Sequence, residues 1–427
     1  MLSSDKLRFV ASQIKQRLWV KPLALCVLSL GGTFVAMLAD SAGLSDILPE
    51  ITLKSVESLL SVMASSMLVI ATFAVGSMVA AYASASTGAT PRSIPLVIAD
   101  DVTQNALSAF IGAFIFSIVS LIAVQNDLFK SAGLFAIFAL TLLVFAIVII
   151  TFVRWVDRIA RLGRVVNTIE QVEKAAGESL DRRRHGATLG ALKVLPDQAW
   201  GRGIAICSPT VGYVQHIDLE TLQASAEARN CRVMVTALPG TFVHTRLPLL
   251  RIEGCAEKRT GEPEGLEPGA FSEAFTITSN RTFEDDPRFG LIALSEIADK
   301  ALSPAINDPG TAIHVIGTLV RLFTLWQGPL ETEKLQATTY DRVSVPELLI
   351  DDLFDDAFTA IARDGAGMVE VAIRLQKAFR ALAETDDILT ATAAKKQSRR
   401  ALSHSEAALT LSDDINVVRT EAAFSAL

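Results

Sequence analysis

Residues 131–153 read SAGLFAIFALTLLVFAIVIITFV, an apolar run without Asp, Glu, Lys or Arg. It exceeds the ~20 residues that an α-helix needs to cross a bilayer. Upstream, residues 22–39, about 59–83 and about 106–124 are also free of those four residue types. The Gly31-Gly32 pair in the first of them is tolerated where a neighbouring helix packs closely. The sequence therefore predicts four transmembrane helices.

Bases near the span ends set the orientation, because Lys and Arg are retained on the cytoplasmic side. Lys6, Arg8, Lys15, Arg17 and Lys21 precede the first span, and Arg154, Arg158, Arg161 and Arg164 follow the fourth. Lys54 and Lys130 are the only bases in the first and third connections, while Arg92 lies in the second. Both termini, and everything after Arg154, are thus expected in the cytoplasm. The basic start is read as flanking a retained helix, since three spans follow and no A-x-A site closes the first.

Acids, bases and prolines concentrate after residue 153, which is the main boundary in a chain of 427 residues and mean hydropathy +0.39. We read 1–153 as the membrane domain and 154–195 as an amphipathic helical rod with a polar connection. Residues 196–285 form a mixed α+β or barrel-like unit, and 286–427 a helical region. The fold class is membrane α-helical, with a cytoplasmic α+β domain and a helical C-terminal third. Trp155, Ile159, Leu162, Val166 and Ile169 form the seam of the rod, a continuation of the fourth helix. The charged stretch 177–193, with Arg182-Arg183-Arg184, reads as a mobile connection. Short β-rich runs near 202–207, 212–217, 232–236, 241–243, 249–252 and 274–278 follow, with a helix at 219–229 entered through Asp218. Residues 254–269, rich in Glu, Gly and Pro, read as an excursion. Helices are expected from Pro287, over 311–326, over 345–385 with a break at 365–367, and over 391–426.

Net charge is −7, and the bases form no large phosphate-binding patch, so nucleic acid is not an expected partner. Cys26, Cys207, Cys231 and Cys255 are widely spaced, without C-x-x-C, and imply neither disulfides nor zinc. His216, His244 and His314 lack the i, i+4 spacing of a helical metal site. The phosphate-loop, G-x-S-x-G and H-E-x-x-H patterns are absent, which disfavours the common enzyme classes; no cofactor or metal is expected.

Two sets of residues are candidates for function. Ser61, Ser65, Ser66 and Thr72 line a water-filled path on one reading, with Ser65, Ser66 and Thr72 as the passage candidates. On the simpler reading their hydroxyls bond their own helix. Strips of small residues, Thr72, Gly76, Ala80 and Ser84 in the second span and Ala109, Ala113 and Ser117 in the third, allow close helix approach. Arg281, Asp285, Asp286, Asp299, Asn307 and Asp308 form the second set, a cation or small-ligand site at helix junctions. The simpler reading is that Asp285 and Asp308 cap helices while Arg281 pairs with a carboxylate.

The stretch 280–290 (NRTFEDDPRFG), continued at 298–312 (ADKALSPAINDPGTA), resembles the bacterial predicted membrane protein family called domain of unknown function 2254. Thr90-Pro91-Arg92, Asp101 to Gln104, Gly212 to Gln215, Ile217-Asp218, Pro239-Gly240 and Phe242-Val243 extend the likeness over about 20–370. Ala305, where glycine is expected, and Gly310, where a bulky apolar residue is commoner, depart from the pattern. The resemblance implies a bacterial inner-membrane protein with no assigned reaction. The preferred functional reading is an oligomer that forms or regulates a passage for an ion or small solute under the control of its cytoplasmic domain. The alternative is a membrane-anchored sensor or scaffold binding a ligand or partner protein. A membrane-bound enzyme using the Asp-rich motif ranks third.

Overall fold

The computed structural model describes residues 20–39, 49, 51–88, 90–98, 101–161, 164–194, 203–254, 268–328 and 337–426. The N-terminal bases up to Arg17, Cys255 and most of the 254–269 excursion lie outside the described residues. The chain divides into two compact units, 10–168 and 169–427.

The first unit contains α1 (Val20–Ala39), α2 (Leu53–Gly88), the short α3 (Ile94–Ile98), α4 (Asp101–Gln125) and α5 (Ser131–Ile159). Among the described residues, four candidate spans are long and apolar enough to cross a membrane. Helix α4 is central, packing against α1, α2 and α5. Its strip of small residues is used inside the chain: Ala113 and Ser117 are buried, and a Cβ on Gly112 would come 3.1 Å from that of Leu25. Ser29 Oγ donates to the Gly112 carbonyl (3.0 Å), and Thr33 shares a 3.2 Å hydrogen bond with Ser120. The strip on α2 behaves oppositely. Thr72, Gly76, Ala80 and Ser84 are all exposed, and no atom lies within 4 Å of the place a Gly76 Cβ would occupy. The rest of the outward surface, on α2 as well as on its neighbours, carries large apolar side chains such as Leu28, Val69, Phe73 and Ile150, the composition that lipid favours.

The expected continuous rod is not formed. Helix α5 stops at Ile159, and a separate α6 spans Val165–His185, with the side chain of Asn167 donating to the Arg161 carbonyl between them. The stretch 177–185 is helical and not a loose connection. Its face of Ala176, Ser179, Leu180 and Arg183 is buried, and Gly177 lies against Leu322 and Leu325.

The second unit is α+β with a helical C-terminal part. Its strands are β1 (Ala191–Lys193), β2 (Ile204–Cys207), β3 (Gly212–Ile217), β4 (Arg232–Val235), β5 (Phe242–Val243), β6 (Pro248–Glu253), β7 (Phe275–Thr278) and β8 (Tyr340–Val345). One sheet has the order β1-β8-β4-β6-β2, with β8 parallel to both neighbours; the other is β5-β3-β7 and antiparallel. Helix α7 (Leu219–Ala228) is capped by Asp218, whose carboxylate accepts from Thr221 N at 3.0 Å. It buries Leu222 in a core with Val233, Val235, Leu249, Leu250 and Val343. Strand β8 lies where the sequence suggested only a connection followed by a helix at 345. Its Tyr-Asp-Arg-Val-Ser-Val alternation buries only Val343 and Val345, too weak a pattern to stand out.

After the small α8 (Pro268–Ser272) come α9 (Pro287–Leu302), α10 (Pro309–Gln327), α11 (Ile350–Asp364), α12 (Val369–Ala383), α13 (Ile388–Ala408) and α14 (Ser412–Ala422). Phe323, Phe354, Phe358 and Phe379 pack ring on ring, with centroids 4.4 Å apart for the first pair and 5.0 Å for the last. The break between α11 and α12 falls at 365–367, as the glycines there predict.

Helices α6 and α9 meet at bare backbone. A Cβ on Gly290 would fall on that of Ala176 and 2.9 Å from its Cα. Gly290→Ala should therefore lower stability by about 1–3 kcal/mol through overpacking. Thermal unfolding of the full chain in detergent measures this, and adding Ala176→Gly should restore part of the loss.

Candidate functional site

The segment from β7 to α9 gathers most of the charged residues singled out above. Thr278 Oγ1 and Gln215 Nε2 both donate to the Asn280 carbonyl, at 3.0 and 2.8 Å, which ties the segment to β3. Arg281 then forms a bidentate pair with Asp286, Nε to Oδ2 at 2.6 Å and Nη2 to Oδ1 at 3.0 Å. Asp286 is 2% exposed and also caps α9, accepting from Phe289 N at 3.2 Å. The Pro239-Gly240 turn closes directly over this carboxylate. Gly240 has φ +90°, and a Cβ there would collide with the carboxyl group, so both the conformation and the contact require glycine. Burial raises the Asp286 carboxyl above its ordinary pKa, opposed by the Arg281 pair and the Phe289 N–H.

Asp285 turns the other way, its Oδ2 in a hydrogen bond with His216 Nδ1 at 2.7 Å. The helix cap is thus Asp286, not Asp285 as the sequence suggested. Arg183 of α6 is 4% exposed, with Asp285, Asp286 and Glu347 in electrostatic range. Its Nη2 approaches the Pro346 carbonyl at 3.5 Å, while Nε and Nη1 have no hydrogen-bond partner among the described residues. Burial lowers its pKa to about 10 despite the three carboxylates. Arg182 donates to the Glu284 carbonyl at 2.5 Å, and Arg288 bridges Asp352 (2.9 Å) and Asp356 (2.5 Å) on α11.

Arg281, Asp285 and Asp286 are therefore brought together, whereas the other three candidates stand elsewhere. Asp299 on α9 has Asp364 and Arg363 of α11 as its charged neighbours, and its Oδ1 lacks a hydrogen-bond partner among the described residues. Burial, with Asp364 adding to it, raises Asp299 to about 7. Asn307 has φ +51° in the exposed turn before α10. Asp308 caps α10 through Thr311 N (3.1 Å) and Oγ1 (2.6 Å), bonds that hold its pKa down. The unusual residues of this turn are accommodated simply: Ala305 is exposed, and Gly310 lies in the first turn of α10 without positive φ. Among the described residues no three His, Cys, Asp or Glu side chains converge as a metal site.

Sequence reasoning passed over Arg183, His216 and the reason for Gly240. The periodicity of Ala176, Ser179 or Leu180, and then Arg183 places that arginine on the buried face, a signal hidden inside a basic triple.

The model of a family described as predicted membrane protein, DUF2254, matches residues 15–381, which covers this junction and all four spans. The chain belongs to the DUF2254 family. Its curated relatives include an uncharacterized protein of Mycobacterium bovis and two of Mycobacterium tuberculosis strains, each 35% identical over 121 residues. The match covers 26% of this chain and 22% of each relative, so the DUF2254 chain spans about a fifth of their length. No solved structure matches.

Asp286→Ala would leave Arg281 without its carboxylate and α9 without its cap. A loss of about 3–5 kcal/mol is expected, as for other broken buried pairs, and chemical unfolding of the full chain measures it. Asp299 gives a pH signature of known sign. Its folded pKa of about 7 stands above the unfolded 3.8, so the native state holds the extra proton. Stability should fall as pH rises between these values and then level off. Asp299→Asn should flatten that slope in melts taken across the range.

Proposed function

We propose that this DUF2254 protein is an oligomer of the bacterial inner membrane whose spans form or regulate a passage for an ion or small solute. The observation that carries the reading is the outward face of α2. A helix facing only lipid gains nothing from Gly76, Ala80 and Ser84, whereas a second helix approaches closely along such residues. Copies meeting on this face bring the exposed Ser65 and Thr72, with the half-buried Ser66, toward a shared interior. Ser65 donates to the Ser61 and Val62 carbonyls (3.0 Å each) and Thr72 to that of Leu68 (2.8 Å). Such hydroxyls are tolerated in an apolar layer, yet their lone pairs remain able to accept from water or coordinate a cation. The central stretches of the spans carry no ionisable side chain, which favours passive movement over proton coupling.

Orientation rests on the charges at the span ends. Lys21 pairs with Asp101, which puts the starts of α1 and α4 at one end, together with Arg92 and Arg154; Gln125 donates to Glu57 at the other (3.0 Å). The more basic end is assigned to the cytoplasm, and the second unit and both termini with it. There the second unit would act as the regulatory domain.

A second reading, a membrane-anchored sensor or scaffold for a ligand or partner protein, draws on Arg183. Two of its buried guanidinium nitrogens have no partner among the described residues, which marks the Arg281–Asp285–Asp286 junction as a place that a ligand could reorder.

Light scattering of the detergent-solubilised protein, corrected for bound detergent, should give a particle of several copies, and Gly76→Ile should dissociate it. Vesicles holding the oligomer should pass small ions faster than empty ones, and Thr72→Leu should reduce that flux. A monomeric particle, or vesicles no leakier than empty ones, overturns the passage and leaves the scaffold reading.

A further inference from the structure

Arg183 is buried in an unusual setting for a charge. It is 4% exposed, yet among the described residues its Nε and Nη1 have no hydrogen-bond partner, and Nη2 has only the Pro346 carbonyl at 3.5 Å. A guanidinium keeps its charge at neutral pH and has five donors to satisfy, so burial without acceptors is costly.

The acids nearby do not fill the gap. Asp286 is held by Arg281 in its bidentate pair, and Asp285 Oδ2 is hydrogen-bonded to His216. Glu347 Oε2 lies 2.6 Å from Lys193 Nζ. All three carboxylates act on Arg183 through space. Arg183 is the buried cation left over when these acids have been matched with their bonded partners.

Lys193 and Glu347 stand on the solvent side of the same place. Lys193 ends β1 beside Val345 of β8, and Pro346 and Glu347 follow β8 directly. Arg183 approaches Pro346 and Lys193 holds Glu347, so the two cations flank one short piece of chain, one from within and one from outside. Lys193 is 57% exposed and Glu347 40%, a salt bridge that water screens and that contributes little. An anion arriving from solvent can take Lys193 from Glu347 and supply the acceptors that Arg183 lacks.

We propose that the Arg183–Lys193 corner binds a small oxyanion, a single phosphate or carboxylate group, with Glu347 as the internal carboxylate that the ligand displaces. The proposal rests on the sensor reading and names the class of its ligand. Lys193 captures the anion as a mobile point charge, and the planar donors of Arg183 orient its oxygens. Asp285 and Asp286 stay with their own partners, and their charge disfavours a large polyanion.

The full chain in detergent is melted in chloride and, at matched ionic strength, in inorganic phosphate or acetate. Phosphate or acetate should raise the melting temperature of the wild type by a few degrees, Arg183→Met should abolish the rise and Lys193→Gln should reduce it. Glu347→Gln removes the competitor and should tighten the apparent Kd about threefold to fivefold, the worth of one exposed salt bridge. Lys193 and Glu347 are surface side chains, so their variants decide the matter even where Arg183→Met does not fold. A rise of equal size in every variant is the general effect of an excluded salt and overturns the proposal. So does no rise in the wild type, or a Glu347→Gln chain that binds no more tightly. Dioctanoyl phosphatidic acid in a parallel series separates the sources, since a response to the lipid alone assigns the site to a headgroup. No rise with any probe leaves a partner protein as the object of the sensor reading. A rise without change in particle size or ion flux keeps the site and removes its regulatory use.

Discussion

The buried carboxylate of Asp286 joins elements that come from distant parts of the chain. It pairs with Arg281, caps α9, lies under the Pro239-Gly240 turn and stands in the field of Arg183 on α6. Taking the Arg281–Asp286 pair out of water costs much of what their attraction returns, so such a pair contributes little net stability. Its effect is selective. A small sheet, a helix start and the helix that follows the membrane unit must all be placed correctly before the charge is satisfied, and other packings leave it stranded.

The membrane unit rests on a different constraint. In lipid the packing of helices depends on how closely their backbones approach, since burial of apolar surface is no longer a driving force. Helix α4 meets that requirement inside the chain with Gly112, Ala113 and Ser117, and becomes the element on which α1, α2 and α5 converge. Helix α2 has the same equipment and turns it outward. The contrast between two strips of nearly identical composition separates intrachain packing from a face left for something else.

Much of this architecture was legible in the residues. The spans were found because lipid demands long uncharged runs, and nothing in a soluble domain imitates 131–153. Asp218 and Asp308 announced their helices because capping is local chemistry, decided within three residues. Strand β8 was missed for the opposite reason: its place is set by neighbours far away in sequence, and its own pattern buries two valines in six residues. Arg183 was hidden by its company, since three consecutive arginines read as a solvated cluster until the helix face that buries the middle one is known. Of the charged candidates, Arg281, Asp285 and Asp286 are near in the chain and lie together in the fold, whereas Asp299 was grouped with them although its neighbours are on α11.

The placement of β8 also bears on how the protein is made. Strands β1 and β4 flank it and do not touch each other, so the larger sheet stays in two parts until residues 340–345 leave the ribosome. Until then β4 offers an open edge, the kind of surface on which chains pair wrongly. The spans are synthesised well before that moment, so each nascent chain is held in the bilayer, apart from its neighbours, while it waits. Insertion at the membrane thereby acts as a safeguard for a sheet whose closing strand comes late.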